Sequence, residues 1–372
     1  MTTASPARAT PTRGLRDRWN SLPRPQQWIA LLPIVVLVYF IPELNLPFLA
    51  SSSVDFPTSM FHAAEFAMIA LGLNVVVGQA GLLDLGYVGF FAIGSYVSAL
   101  LTSPESVLAK IPYLATLPLA MLVTMIFGLI LGAPTLRLRG DYLAIVTLGF
   151  GEIVRLLASI VPIFNGNVGL NNVGHPPKLL GQTFNNLNAK PWYWLMITLI
   201  IVILLFVGNL ERSRVGRAWI AIREDEDAAQ IMGVSAFKFK LWAFAIGAAI
   251  GGLSGALVAG QVSFVNNQDF SVPFSVLYLA AVILGGAGNK VGVMIGGFLV
   301  SYIPDRFNSL GDKKYLVFGV ALVLLMIFRS QGLLGARQRL LARGRQAYQQ
   351  LLGRPEQIAT ESSVTPEGGP RS

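Results

Sequence analysis

The chain has 372 residues, of which 53% are hydrophobic and 13% charged, with a formal net charge of +9 and a mean hydropathy of +0.60; a soluble domain carries about 25% charged residues. Soluble helical proteins balance apolar helices with charged outer faces, and the apolar runs here have almost none, so the composition reads as an all-α polytopic integral membrane protein. Cysteine is absent, which excludes disulfides, thiolate chemistry and cysteine-based metal sites.

The two histidines, His62 and His175, stand far apart, and neither lies in a motif of metalloenzyme spacing. Arginines gather at the two ends and in particular loops, the pattern of membrane orientation rather than of a groove-binding face. No metal and no nucleic-acid partner is expected.

Residues 1–27 set Arg8, Arg13, Arg16, Arg18 and Arg24 against the single acid Asp17 and read as a disordered cytoplasmic tail. A secretory signal is the competing reading, because the apolar run from Trp28 to Ile41 is short and Ala50, Ser51 and Ser52 are small. Against it stand the long leading region and the span that cleavage would remove. Apolar stretches that can cross a membrane fall at about 28–42, 59–79, 84–102, 112–135, 141–164, 191–208, 237–262, 273–288, 291–304 and 315–328. About ten crossings place both termini on one side. With that side cytoplasmic, Arg137 and Arg139, the charged stretch 211–240 and the tail with Arg329, Arg337, Arg339, Arg343 and Arg345 all fall inside. The outer side receives 43–57, the Asn- and Gly-rich loop 165–190, 263–272 and the short loop with Asp305, Arg306, Asp312, Lys313 and Lys314. Loop 165–190 is polar and turn-rich enough to fold over the mouth of a pathway.

Within the membrane, glycine recurs at 72, 78, 81, 86, 89 and 94, beside Asn74, Gln79, Asp84 and Tyr87. Gly78 and Gly81 can break a helix and turn free backbone groups toward a cavity, where free amides attract a carboxylate and free carbonyls an ammonium. Asn74 and Gln79 are the polar candidates for a substrate pathway. Gly86, Gly89 and Gly94 fit helix packing, and Asp84 a cap or an interface. Asp141 can cap the next span; Glu152 and Arg155, three apart on its face, are either a functional pair or a structural one. The Gly285–Gly297 stretch lacks the GK[ST] ending of a phosphate loop, so the chain shows no nucleotide site of its own. Its Gly-Ala-Gly core echoes Gly78–Gly81, giving glycine-broken helices in both halves and suggesting a pseudo-symmetric transporter. Spans eight and nine are two crossings or one re-entrant pair.

The segment Glu211–Gly233, ERSRVGRAWIAIREDEDAAQIMG, is too charged to lie in hydrocarbon. Ala218, Ile222, Asp225 and Ala229 recur at helical spacing and Gly233 can supply the stop, so a short helix held between spans is offered to a soluble partner. The chain then divides into a tail at 1–27, a transmembrane permease domain at 28–335 with a coupling loop at 211–236, and a basic segment and disordered tail at 336–372, within which Leu340–Leu352 can lie on a membrane surface.

Three blocks, GLNVVVGQAGLLDLGYVGFFAIGSY at 72–96, RLRGDYLAIVTLGFGEIVRLL at 137–157 and SRVGRAWIAIREDEDAAQIMG at 213–233, resemble the LivH/LivM permease family of branched-chain amino acid ABC importers. The resemblance extends from about Leu71 to Gly335. It implies a non-enzymatic membrane subunit that works with a paralogous LivH-type permease, two ATPase subunits that bind the ATP, and an extracytoplasmic solute-binding protein delivering Leu, Ile or Val across a bacterial inner or plasma membrane. The Asp-Ala-Ala run with its following glycine resembles the loop that ATPase subunits grip in such permeases, and assigns coupling contacts to Gly216, Arg217, Arg223, Glu224, Asp227, Ala228, Ala229 and Gly233. Urea and short-amide importers use sister permeases; Asp84, Gly86, Tyr87, Arg139, Gly140, Asp141 and Tyr142 favour the amino acid branch. The rival reading from another class is an ATP-independent secondary transporter.

Overall fold

The computed structural model describes residues 33, 35–43, 55–108, 110–138, 140–178, 181–306, 319, 320 and 323. Two compact units divide the chain, Met1–Leu49 and Ala50–Ser372. In the first, helical residues 35–40 run into a 3₁₀ turn at Ile41–Glu43. The expected span at 315–328 falls largely outside the described residues, as do both tails, Arg139 and the run 340–352, while that at 28–42 is described at 33 and 35–42.

The second unit is predominantly helical among its described residues. Its helices are α1 (Phe56–Leu73), α2 (Tyr87–Thr102), α3 (Tyr113–Thr135), α4 (Asp141–Ile160), α5 (Ala189–Arg212), α6 (Arg214–Glu224), α7 (Glu226–Ile231), α8 (Ala236–Val262), α9 (Val272–Gly285) and α10 (Lys290–Arg306). Among the described residues, five helical runs are long and apolar enough to cross a membrane: α1 with its continuation to Gln79, α3, α4, α5 and α8. Helices α2 and α9 are apolar but shorter, 16 and 14 residues, about 24 and 21 Å of helix against a hydrocarbon core of about 30 Å.

Burial separates these helices into two classes. The apolar windows of α1 and α8 are 83% and 78% buried, whereas those of α3, α4 and α5 are 28–33% buried. Thus α1 and α8 form the centre and the other three turn most of their surface outward. Helix α8 packs on α3, α2 and α1, and α10 packs on α1 and α9.

The sequence of α8, AIGAAIGGLSGALVAG, explains its place, because lipid tails are as apolar as leucine and helices associate there through small residues and interhelical hydrogen bonds. A Cβ on Gly94 of α2 would collide with the backbone of Gly252, and one on Gly255 with the backbone at Phe91. Three side chains then bond to α8 carbonyls: Tyr87 Oη to Gly247 at 2.7 Å, Ser95 Oγ to Gly255 at 2.9 Å and Tyr113 Oη to Ala256 at 2.7 Å.

At one end of the bundle the loops are tied by a short antiparallel pair that the sequence reading did not anticipate. Strand β1 (Leu170–Asn171) pairs with β2 (Phe264–Val265), placing Leu170 opposite Val265. Asn167 accepts from both Asn266 and Asn267 beside it. Asp269 closes a capping box on the 3₁₀ turn Asn267–Phe270. Burial pushes its carboxyl above the usual range, with the Asn266 amide opposing. The polar loop 165–190 is thereby bound to 263–272.

Two local expectations are corrected. The cap position of helix α4 is Gly140, at φ 62°, and Asp141 is the first residue inside the helix rather than its cap; an acid there complements the helix N-terminus through charge. Asp225 does not lie within one helix face. Its backbone is extended (φ −155°, ψ 110°), it separates α6 from α7, and its Oδ1 accepts from Ala228 N at 2.9 Å. Aspartate prefers to cap rather than continue a helix because its short carboxylate reaches the free amides.

The glycine seam yields a direct test. Gly94→Val should cost about 1–3 kcal/mol through overpacking against the Gly252 backbone, lowering the thermal midpoint and the monodisperse yield in detergent. Gly149→Ala adds a methyl that meets nothing within 4 Å and should change neither.

Candidate functional site

The opposite end of the bundle gathers the chain's polar and conformationally unusual residues. Helix α1 widens into a π-helical stretch, Asn74–Gln79, and the chain then leaves helical conformation until Tyr87. This non-helical segment is largely inside the protein: Ala80 is 2%, Leu82 6% and Asp84 1% exposed. Irregular backbone at such depth survives only when its polar groups find partners. Ala80 N donates to Val75 O at 3.2 Å, Leu82 N to Val76 O at 3.1 Å, Leu85 N to Thr147 Oγ1 at 3.0 Å and Gly86 N to Asp84 Oδ1 at 2.9 Å. Asp84 is therefore a buried turn-former, and Thr147 ties α4 to the same segment. Val88 N, in the first turn of α2, donates to Ser275 Oγ of α9 at 3.2 Å.

The second glycine interruption, Gly285–Asn289, lies directly against the first. Gly288 N donates to Asn74 Oδ1 at 2.7 Å, and a Cβ on Gly78 would collide with both groups. Asn289 starts α10 by accepting from Gly292 N at 3.2 Å.

The charged segment closes over this junction. Arg223, at the end of α6, donates to Gly78 O. Its stem and guanidinium pass between Gly81 and Gly288, where added Cβ atoms would come within 3.0 Å of Cγ and 2.7 Å of Nη1. Both glycines have positive φ, 71° and 91°, so a side chain at either position is strained as well as crowded. Glu211, near the end of α5, accepts from Gln79 Nε2 at 2.7 Å and from Lys290 Nζ at 2.6 Å.

Beneath Arg223 the segment is anchored by apolar burial. Trp219 is fully buried and donates from Nε1 to Phe239 O at 2.7 Å. Ile222, Ala229 and Ala236 form a small core with Val234 and Phe239 packed on it. Lys240 pairs with Glu226 at 2.6 Å across the α7–α8 turn.

The sequence-derived residues fall into distinct places. Asn74, Gln79, Gly78, Gly81 and Arg223 come together in one cluster. Glu152 does not join it; it accepts from Arg155 Nε at 3.1 and 2.9 Å on α4. Gly216 is buried where α6 folds back on α5, and a Cβ there would meet the Glu211 backbone. Ala229 belongs to the small core. Arg217, Glu224, Asp227 and Ala228 are exposed, Arg217 donating to Arg212 O at 3.1 Å. Gly233 takes φ 86°, and Val234 N bonds back to Ala229 O at 2.9 Å, ending α7.

Sequence reasoning missed Glu211 and Lys290 as partners, since 79 positions separate them. It also missed Ile220, Ile231 and Met232, which are 55%, 86% and 83% exposed on this charged segment. Their signal was available: they fall off the Ala218, Ile222 and Ala229 face. Asn74 Nδ2, Gln79 Oε1 and Asp84 Oδ2 are buried without a hydrogen-bond partner among the described residues. No group of three or more metal-ligating side chains occurs among the described residues.

Comparison with known proteins agrees with this architecture. Residues 58–328 match the family described as the branched-chain amino acid transport system permease component. The chain is 41% identical over 311 residues to the high-affinity branched-chain amino acid transport system permease protein LivM of Salmonella typhimurium, covering 77% of this chain and 71% of that protein. It is 41% identical over 291 residues to LivM of Escherichia coli, covering 72% and 67%. The LivH permease of the Salmonella typhimurium system is 24% identical over 73% of this chain and 92% of its own length. No solved structure matches. Family match, apolar helices and buried glycine junction together make this chain a multi-pass membrane protein of the branched-chain amino acid transport permease family.

Proposed function

We propose that the chain is one of two paralogous permease subunits of an ABC importer for branched-chain amino acids in a bacterial inner or plasma membrane. In this reading about ten spans cross the membrane, both termini and the 211–236 segment face the cytoplasm, and the partner subunit is of the LivH type. Two ATPase subunits bind and hydrolyse ATP, and an external binding protein docks on the loop end that β1 and β2 tie together. The observation that carries the reading is the Arg223 contact. An exposed charged segment, open to a soluble partner, reaches through one guanidinium to the backbone of the buried helix break.

The mechanism follows from that contact. Ile220, Ile231 and Met232 offer apolar anchors to an ATPase groove, while Arg217, Glu224, Asp227 and Ala228 line the surface around them. When the ATPases close, the segment moves as a body because Trp219 and the small core hold it to the start of α8. Arg223 then pulls on Gly78 O and shifts the junction of the two breaks. The unpaired groups in the buried chain suit a zwitterion: Asn74 Nδ2 can donate to a carboxylate, and Gln79 Oε1 and Asp84 Oδ2 can accept from an ammonium. Gly78 and Gly81 let Asn74, Gly288 and Arg223 close in on the backbone beside these groups, and Glu152 pairs with Arg155 on α4, apart from them.

The assay is uptake of labelled leucine and labelled urea into vesicles holding this chain, its partner permease, both ATPases and binding protein, with each component omitted in turn. Leucine uptake that vanishes without the ATPases is expected. Urea uptake would change the cargo, and uptake by this chain alone would overturn the reading. Arg223→Lys should lower leucine uptake roughly five- to ten-fold without loss of assembly, because an ammonium cannot span the glycine slot as a planar guanidinium does. Trp219→Ala should cost about 3–5 kcal/mol of local stability, read as faster proteolytic cleavage within 211–236 and lost uptake.

A further inference from the structure

The charged segment is joined to the bundle at a second place, through Glu211 and Lys290, which were given no role above. Glu211 divides its carboxylate between two elements, Oε1 accepting from Gln79 and Oε2 from Lys290, at 2.7 and 2.6 Å. Gln79 is the last residue of the π stretch, and Lys290 is the first of α10, immediately after the Gly285–Asn289 interruption. One carboxylate at the foot of α5 thus holds the exit of the first break and the exit of the second.

Three features mark this as a built contact. A cation in the first turn of a helix opposes the helix dipole, so Lys290 gains nothing from α10 itself and is accounted for by Glu211. Gly208, one turn before Glu211, leaves the passage for the ammonium, since a Cβ there would lie 3.1 Å from Lys290 Nζ. The pair is 28% and 26% exposed, enough shielding from water for two short charge-assisted bonds to fix geometry.

We propose that Glu211 and Lys290 are positioning residues for energy coupling: their ion pair, with Gln79 as third member, makes both helix breaks move with the α5–α6 corner. Arg223 acts on the first break directly; Glu211 extends that movement to α10. The role rests on the reading of α6 and α7 as the ATPase contact. A pair that served stability alone would alter the amount of assembled complex and leave unchanged the ATP consumed per molecule imported.

The test reconstitutes the full complex in proteoliposomes and measures ATP hydrolysed per leucine taken up. Glu211→Gln and Lys290→Met should each raise that ratio by about five-fold or more. The exchange of both, Glu211→Lys with Lys290→Glu, should bring it back below either single variant, because the Gln79 amide can turn its oxygen toward the new ammonium. Unchanged ratios in the single variants, or an exchange no better than they are, would overturn the proposal. Should the single variants fail to assemble, the exchange decides: wild-type coupling supports the pair, and an uncoupled or unassembled exchange refutes it. Leucine uptake by the wild-type complex without ATPases would instead remove the ATP-driven reading, a result separable from failure of the pair.

Discussion

A backbone that stops being helical inside an apolar bundle must find partners for every amide it releases, and that requirement organises this protein. Between Gln79 and Tyr87 the chain abandons helix while largely buried, and the amides of Ala80, Leu82, Leu85 and Gly86 are answered by Val75 O, Val76 O, Thr147 Oγ1 and Asp84 Oδ1. Each buried amide left unpaired would cost about 1–3 kcal/mol, so these bonds fix where α1, α2 and α4 meet. Because α2 begins only at Tyr87, it is short. The second short helix, α9, meets it there through Ser275, and the interruption that follows α9 reaches the first one through Asn74.

Two kinds of interaction hold the charged segment, and their sizes assign them different tasks. Burial of Trp219 and its bond to Phe239 O is the larger contribution, since truncating a buried tryptophan costs about 3–5 kcal/mol. A charge-assisted bond such as that of Arg223 contributes about 1.5–3 kcal/mol, and the guanidinium is partly in water. Trp219 therefore keeps the segment in place, while Arg223 and Glu211 join it to the two helix breaks. Glycine at 78, 81 and 288 is what lets the arginine reach the backbone.

Elsewhere the bundle depends on close approach rather than on hydrophobic burial, which has little force between helices already surrounded by lipid. Helix α8 supplies the small residues, and hydroxyls from α2 and α3 bond to its carbonyls. Helices α3, α4 and α5 keep large side chains outward, among them Ile130, Ile145 and Phe206. Of the five long apolar helices, α1 and α8 are thus central while α3, α4 and α5 face outward.

The linear sequence determined the class of protein, the extent of most helices and the charged break in the apolar pattern at 211–233, because hydrocarbon excludes charge and the apolar runs have membrane length. It also singled out Asn74, Gln79, Gly78 and Gly81, since polar and flexible residues inside an apolar run are conspicuous by composition alone. The break at Asp225 and the β1–β2 tie were not legible, because each depends on backbone bonds whose competing patterns look alike in sequence, whereas the start of α4 at Asp141 was. Only tertiary structure decided that Arg223 meets Gly78, and that one carboxylate at Glu211 serves both Gln79 and Lys290. Those contacts join positions 145, 132 and 79 residues apart; local propensity and hydropathy act over a few helical turns, so pairings at that range are set by how the helices pack.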